Sequence, residues 1–379
     1  MNGGIYIHIP YCRKACHYCN FHFSTNLSTI QPLVKVIAEE ISAKGSKEIL
    51  TSIDTIYFGG GTPSILSLDL LSVIMRAIKA SFQISPDVEI TLEANPEDIT
   101  DHQLQGWYDL GINRLSIGIQ SFWEKDLIRM NRAHTSAQSY EALKLVKESA
   151  FTNITADLMF GLVDSTSDDW RENLEKMISF DLPHLSIYNL TIEEQTVYAH
   201  QAKKQVLSLP SDDHQNQQYL LAEELLAEHG YEHYEISNYA KPGHRATHNA
   251  AYWDRKPYIG IGPSAHSFYN NHRYWNPAHN QAYLSLDHKN QADMRCEVLS
   301  KMDIYNELIM LGLRRSDGVE ESMIKSLGSS IWKKYVELSN PLIRSGVISR
   351  QHDRLVLDKG RWYMSDDISS SLFLTSLPN

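Results

Sequence analysis

The chain has 379 residues, a formal net charge of -11, 42% hydrophobic and 21% charged residues, and only 4 cysteines. At that length it can bury a large core without disulfide staples, with room for two or three domains of about 150 residues each, so collagen-like, disordered and disulfide-scaffold classes are excluded. The acidic balance argues against a nucleic-acid binder, no apolar run reaches the ~18 residues of a membrane span, and the start lacks the charged and apolar regions of a secretory leader, so the chain reads as cytoplasmic.

In chain order, the first half repeats one unit, a short β-rich run followed by a polar or glycine cluster and an amphipathic segment. The runs are 4–9, 55–58, 88–93, 114–119, 153–160 and 184–189, and between them apolar residues recur at helical spacing in 31–43, 67–80, 100–110 and 137–148. The helix over 100–110 opens on the capping residue Thr100 and stops before Gly111. Strands alternating with helices imply a parallel sheet, and six such units suggest a barrel or an open part of one. In the fourth run Leu115, Ile117 and Ile119 alternate with Ser116, Gly118 and Gln120, so one face packs on helices and the other lines a polar interior. Polar residues gather at the C-terminal ends of the runs, the rim where α/β barrels bind ligands.

After about residue 193 the pattern changes to polar helical segments and then to an aromatic, histidine-rich stretch over 231–275. From residue 302, three helices over 303–313, 320–327 and 330–345 are expected, followed by a small sheet from 347–349, 354–358 and 362–364 with a turn at Lys359 and Gly360. Three helices and a hairpin resemble a winged helix. Such modules often bind DNA, but the acidic chain and the lack of a basic stripe favour a packing or partner role. The organisation expected is therefore a barrel over 1–230, an extension over 231–301 and a winged-helix-like module over 302–379.

Three of the cysteines, Cys12, Cys16 and Cys19, form C-x3-C-x2-C just past the first strand, and Cys296 stands alone. A zinc site of this kind is usually two paired knuckles and no second pair exists; a disulfide reading leaves an odd thiol. Three thiolates on a loop suit three irons of a [4Fe-4S] cube, with the fourth iron left to a non-protein ligand; zinc or structural thiols are the competing reading. After the second strand, Gly59 to Thr62 and Pro63 form a glycine-rich turn whose amides can approach a ligand, although a plain turn is the competing reading. It lacks the Lys-Ser/Thr of a phosphate loop. A second glycine pattern, Gly260, Gly262 and Ala265, mimics a dinucleotide fingerprint, but Pro263 and the following residues do not open a convincing helix.

The cysteine spacing after a first barrel strand, within Tyr-Ile-His-Ile-Pro-Tyr-Cys, resembles the radical S-adenosylmethionine superfamily, in the branch of oxygen-independent coproporphyrinogen III dehydrogenases and the heme chaperones related to them. The resemblance spans nearly the whole chain. It implies an α/β fold, a partial (β/α)6 TIM-like barrel with a C-terminal α+β extension and a winged-helix-like module. It further implies a [4Fe-4S] cluster on Cys12, Cys16 and Cys19, and S-adenosylmethionine held by Gly60, Gly61 and Thr62 with Glu93, Gln120, Arg132 and Asp157, flanked by Tyr6 and Tyr18. Acids and an amide suit ammonium and ribose hydroxyls, and an arginine suits a carboxylate. Taken singly, each polar strand-end residue is as readily structural; their shared rim favours function.

Two departures from the dehydrogenases point to the heme-chaperone subgroup. Phe21 stands where those enzymes continue to a fourth cysteine, and the cluster motif begins at residue 12 without their long preceding extension. A third feature is H-N-x-x-Y-W at His248, Asn249, Tyr252 and Trp253, which resembles a motif associated with heme in that subgroup. Neutral imidazole is a common axial ligand and flat aromatics suit a porphyrin face, but in a chain with 17 histidines an ordinary core or surface role for His248 is equally open. His244 is a weaker alternative, and Arg245, Arg255 and Lys256 are candidates for the propionates. The expected function is heme binding and delivery to a hemoprotein client, with peripheral membrane association through that client. The alternative is radical oxidative decarboxylation of coproporphyrinogen III. No catalytic residue is assigned, and Cys296 is expected to be an ordinary thiol.

Overall fold

The computed structural model describes residues 2–288 and 295–377. Six strands run parallel in sequence order: β1 (Asn2–Ile9), β2 (Ser52–Gly60), β3 (Ile84–Ala94), β4 (Arg114–Gln120), β5 (Asn153–Phe160) and β6 (His184–Asn189). Their crossovers are α1 (Ile30–Gly45), α2 (Leu68–Ser81), α3 (Asp101–Asp109), the pair α4 (Glu124–Arg129) and α5 (Ser136–Glu148), and α6 (Ser167–Ser179). Helix starts are fixed by side chains: Thr100, the cap expected from the sequence, accepts from the amide three residues on, as do Ser67 and Thr166, and Thr135 forms a capping box with Gln138.

Register makes the parity uniform across the sheet. Ile7 pairs with Phe58, Phe58 with Leu92, Leu92 with Leu115 and Leu115 with Ile154, and all are buried against the helices. The opposite face carries Tyr6 and His8, Thr55 and Tyr57, Glu89, Thr91 and Glu93, Arg114 and Ser116, Thr155 and Asp157, and His184 and Ser186. The lumen is therefore polar from end to end, with its charges held inside an apolar shell of sheet and helices.

The region after β6 joins this sheet instead of folding apart. Following α7 (Val197–Lys203) and α8 (Asp212–Glu228), β7 (Glu232–Glu235) and β8 (Asn238–Ala240) extend the β6 edge antiparallel. The chain then crosses the barrel through α9 (Thr247–Trp253) to the other edge, where β9 (Tyr258–Ile261) pairs parallel with β1, and β10 (His266–Tyr269), β11 (His272–Trp275) and β12 (Arg295–Val298) follow antiparallel. The short helix α10 (Asn280–Leu284) carries Tyr283, whose hydroxyl donates to Glu40 of α1. Glu40 also accepts from Lys44, Asn276 and the Gly262 amide, a buried charged clasp between α1 and the extension. The Gly260 and Gly262 pattern serves this junction: a side chain at Gly260 would run into the His266 carbonyl, and Gly262 has φ +97 with the His8 carbonyl against it.

The last region orders as α11 (Lys301–Leu313), β13 (Val319–Glu320), α12 (Glu321–Ser326), α13 (Ser329–Arg344), β14 (Ile348–Gln351) and β15 (Arg354–Leu357), followed by α14 (Ser365–Ser371). The three-stranded sheet, in the order β13-β15-β14, with three helices is a winged-helix arrangement. The strand expected over 362–364 is instead part of a 3-10 helix (Lys359–Met364), and the third strand comes from β13. Trp362 explains the change: it is fully buried, donates to the Leu357 carbonyl and packs on His233, which a strand continuing from β15 would not allow. This module shares one continuous apolar core with the barrel, from Ile5 to Leu374. No helix among the described residues is long and apolar enough to cross a membrane.

Candidate functional site at the barrel mouth

The C-terminal ends of the strands open on a cavity of about 440 Å³. Its walls bring together Cys12, Cys16, Tyr18, Cys19, Gly60, Gly61, Thr62, Glu93, Gln120, Arg132 and Asp157, and Phe21 stands at its edge, 68% exposed. Of the residues that the sequence predicts for this site, only Tyr6 is placed elsewhere. It sits deeper in the lumen, its hydroxyl 3.1 Å from His8 Nδ1 and its ring stacked on Tyr57.

The cysteine loop is clamped from several directions. Cys12 N–H donates to the Ser24 carbonyl at 3.1 Å and Ser24 N–H to the Pro10 carbonyl at 2.8 Å. On the other flank His17 N–H donates to the Met130 carbonyl, and the Asn131 amide to the Ala15 carbonyl at 2.8 Å. Arg13 pairs with the buried Asp98 at 2.7 Å, and Asp98 also accepts from Ser64. Two donors reach the sulfurs: Thr62 Oγ1 to Cys12 Sγ and Arg132 Nη1 to Cys16 Sγ, each at 3.5 Å. Burial pushes the Cys12 thiol up to about 11; metal uptake at this sulfur would therefore release its proton.

The glycine turn is required by close approach. A side chain at Gly61 would meet the carbonyls of Ile9 and Tyr11, and Gly60 has φ +109 above the His8 ring. The Gly60 amide instead donates to Glu93 Oε2 at 3.1 Å, while Tyr57 donates to Oε1 at 2.8 Å. Burial raises the Glu93 pKa, and these two bonds restrain the rise. Asp157 is pushed up to about 7, by burial first and the Glu93 charge second. Burial opposes the Arg132 charge, but Tyr18 and Cys16 beside it outweigh that and raise its pKa. Its Nη2 donates to Asn95 Oδ1 at 2.8 Å and to the Gly118 carbonyl at 2.9 Å.

These residues fit an iron-sulfur cluster with an amino-acid-bearing ligand. Among the described residues no three His, Cys, Asp or Glu side chains converge on the position of one metal ion; the thiols instead ring a cavity with a cation and a hydroxyl at their sulfurs. Asp157 Oδ1, Asn189 Oδ1 and Arg132 Nε are buried without a hydrogen-bond partner, and buried polar groups in folded proteins are nearly always paired. Acceptors and a guanidinium donor left over in one cavity match ammonium, hydroxyl and carboxylate groups on a ligand.

Sequence reasoning missed Asn95 and Asp98, which tie Arg132 and Arg13 to the rim. Their position directly after β3, in Asn95-Pro96-Glu97-Asp98, was the available signal. It also missed Tyr188 and Asn189 at the end of β6 and Glu193 just past it, which complete the cavity wall; Glu193 accepts from Asn20 of the cysteine loop at 3.1 Å.

The H-N-x-x-Y-W residues lie at the other end of the barrel. His248 is 2% exposed, with Nδ1 2.7 Å from Thr55 Oγ1 and Nε2 2.8 Å from the Tyr252 hydroxyl. Both ring nitrogens are engaged, so this arrangement leaves no lone pair for an iron. Burial and then the Arg114 charge push its pKa down to about 3, which keeps the ring neutral. Asn249 is half-buried on the same helix. Trp253 faces outward, where it lines a surface cavity of about 340 Å³ with Arg255, Lys256, Leu308, Leu311, Arg315, Met323 and Arg354. Arg245 is turned to Glu232 and Asp317, and His244 is half-buried beyond the helix start. Cys296 is exposed on the outermost strand, away from the mouth.

Residues 6–177 match the model of the Radical SAM superfamily. The chain is 36% identical over 359 residues to a heme chaperone HemW of Lactococcus lactis subsp. lactis, covering 94% of this chain and 93% of the relative. It is 33% identical to a heme chaperone HemW of Synechocystis sp., over 87% of this chain and 82% of that one. Among solved structures, the Escherichia coli coproporphyrinogen III oxidase HemN superposes with a TM-score of 0.84 at 20% identity, covering 99% of this chain and 90% of the other, a likeness of fold.

Proposed function

Because the chain belongs to the HemW-type heme-chaperone family of the radical S-adenosylmethionine superfamily, we propose that it binds heme and passes it to a hemoprotein client. The observation that carries this reading is the match to heme chaperones over 94% of the chain. Membership implies a [4Fe-4S] cluster and S-adenosylmethionine. Cys12, Cys16 and Cys19 would hold the cluster, with Arg132 and Thr62 offsetting charge at the sulfurs. Glu93, Gln120, Arg132 and Asp157, with the backbone of Gly60 and Gly61, would hold the ligand. When bound, the pair supplies one-electron reductive chemistry. Phe21 supports a carrier over a decarboxylase, since an exposed ring takes the place of a fourth cysteine at the mouth.

In this reading the porphyrin would meet the outward half of H-N-x-x-Y-W. Trp253 offers a flat face, Leu308 and Leu311 apolar wall, and Lys256 a cation that suits a propionate, while Arg255 and Arg354 already pair with Glu307 and Glu320. Anaerobic titration of the reconstituted protein with heme should give a saturable Soret band, and Trp253→Ala should weaken binding by about tenfold, the loss of one aromatic contact. Incubation with reductant, S-adenosylmethionine and coproporphyrinogen III should leave the porphyrinogen unchanged. Stoichiometric protoporphyrinogen would overturn the chaperone reading.

A further inference from the structure

The helix α9 closes the barrel floor, and its first two amides donate to one carboxylate: Thr247 N–H to Glu89 Oε2 at 3.1 Å and His248 N–H to Oε1 at 2.9 Å. This fixes the His248 ring below β2, where Thr55 and Tyr252 hold its two nitrogens. The ring then stacks on Tyr57, with centroids 5.0 Å apart and planes at 25°. Tyr57 lies two residues along the same strand from Thr55, so its side chain leans from the floor towards the mouth. Its hydroxyl donates to Glu93 Oε1, and the other oxygen of Glu93 takes the Gly60 amide. A line of contacts thus runs His248, Tyr57, Glu93 from the closed end of the lumen to the cavity.

From this line we infer that His248 is a positioning residue for the S-adenosylmethionine site, acting through Tyr57 on Glu93, and not an axial ligand of heme. Two features favour that role over simple filling. His248 stacks on the Tyr57 ring, as Tyr6 does at 6.1 Å, and these contacts restrict rotation of the ring in the orientation from which its hydroxyl donates to Glu93. The carboxylate has two partners from the chain, Tyr57 and Gly60, and losing one leaves it free to turn away from the cavity. The inference rests on the reading of Glu93 as a contact of S-adenosylmethionine.

The test measures S-adenosylmethionine affinity by equilibrium dialysis, and heme affinity by Soret titration, on the reconstituted full chain. His248→Ala and Tyr57→Phe should each weaken S-adenosylmethionine binding by about tenfold, the scale of one hydrogen bond to a charged group, while heme affinity stays within about twofold, since no heme contact is removed. In a Glu93→Gln background, His248→Ala should add nothing, because the residue acts through that carboxylate. A loss of equal size in both backgrounds would mean a general structural role and overturns the inference. Loss of the Soret band in His248→Ala with unchanged S-adenosylmethionine affinity overturns it in favour of ligation. If His248→Ala does not fold, Tyr57→Phe decides, because it keeps the ring and removes only the hydroxyl; unchanged affinity there also overturns the inference. If Glu93→Gln binds S-adenosylmethionine as the wild type does, the premise and the inference fall together. Failure of the wild type to bind heme at all would instead sink the chaperone reading and leave the dialysis result standing.

Discussion

The two ends of the barrel lumen are built by the same strands and the same alternation, yet they differ in how fully the chain itself pairs their polar groups. At the floor the chain supplies most of the partners: Glu89 caps α9 and faces Arg114 at 4.0 Å, Arg114 reaches Thr155 through Nη2 while its Nε has no hydrogen-bond partner, Thr155 and Tyr234 hold the His184 ring, and Thr55 and Tyr252 hold His248. At the mouth Asp157 Oδ1, Asn189 Oδ1 and Arg132 Nε have none. A buried polar atom without a partner costs about 1–3 kcal/mol; Arg114 Nε and Thr91 Oγ1 deeper in the lumen lack hydrogen-bond partners as well, but Asp157, Asn189 and Arg132 line the cavity, where a ligand can remove the penalty. The difference separates groups that hold the fold from groups that wait for a ligand, although both are polar residues on barrel strands.

The largest effect should come from breaking the mouth. Cys12→Ala should abolish the iron-sulfur absorbance of reconstituted protein, whereas Cys296→Ala, on an exposed edge strand, should leave it unchanged. Loss with Cys296 would move the cluster away from the mouth. Because Cys12 makes no contact with the floor, the urea midpoint of the metal-free Cys12→Ala protein should match that of the metal-free wild type.

The floor should respond in the reverse manner. Arg114 is 1% exposed, and Arg114→Met keeps much of its volume while leaving the Glu89 carboxylate without its buried cation. Breaking one side of a buried pair costs about 3 kcal/mol or more, which should appear as a lower urea midpoint of the metal-free protein. Iron content per folded molecule should be unchanged. If instead the cluster is lost and stability is kept, the division between the two ends is wrong.

How far this division was legible in the sequence differs between the ends. The six strands, four of the helices between them and the Thr100 cap were readable because period-two and helical patterns and capping residues are local signals. The rim was readable because a rim residue sits at the end of a run; Glu93, Gln120 and Asp157 could be picked one strand at a time. The floor was not. Thr55, Glu89, Arg114, Thr155 and His184 sit in the first half or the middle of their strands on the inward parity, but what Thr55 and Glu89 do depends on α9 arriving nearly sixty residues beyond β6. His248 therefore read as a possible ligand, since imidazole chemistry is visible in a sequence and burial between Thr55 and Tyr252 is not. The same limit applies to β7 to β12, whose strands are only three or four residues long and add to both edges of a sheet begun far earlier. Strands this short hold too few residues for a period to show.

The smallest effect tests the penalty at the mouth directly. Asp157 has its pKa raised from 3.8 to about 7, through burial and then the charge of Glu93. A carboxyl whose folded-state pKa lies above its unfolded value favours folding below the unfolded value, and that contribution disappears as pH rises through the folded value. Metal-free wild-type protein should therefore lose stability from this group between about pH 4 and pH 7. Asp157→Asn carries no charge at any pH and should lack that loss. Urea midpoints of the two proteins should coincide near pH 4 and diverge as pH rises to 7 and above, with the variant the more stable by at least about 1 kcal/mol, the equivalent of one pKa unit. The variant should at the same time bind S-adenosylmethionine more weakly, since the charge that destabilises the empty mouth is the one proposed to meet the ligand. A stability gap that does not change with pH would show that Asp157 carries no penalty, and the mouth would then be as self-sufficient as the floor.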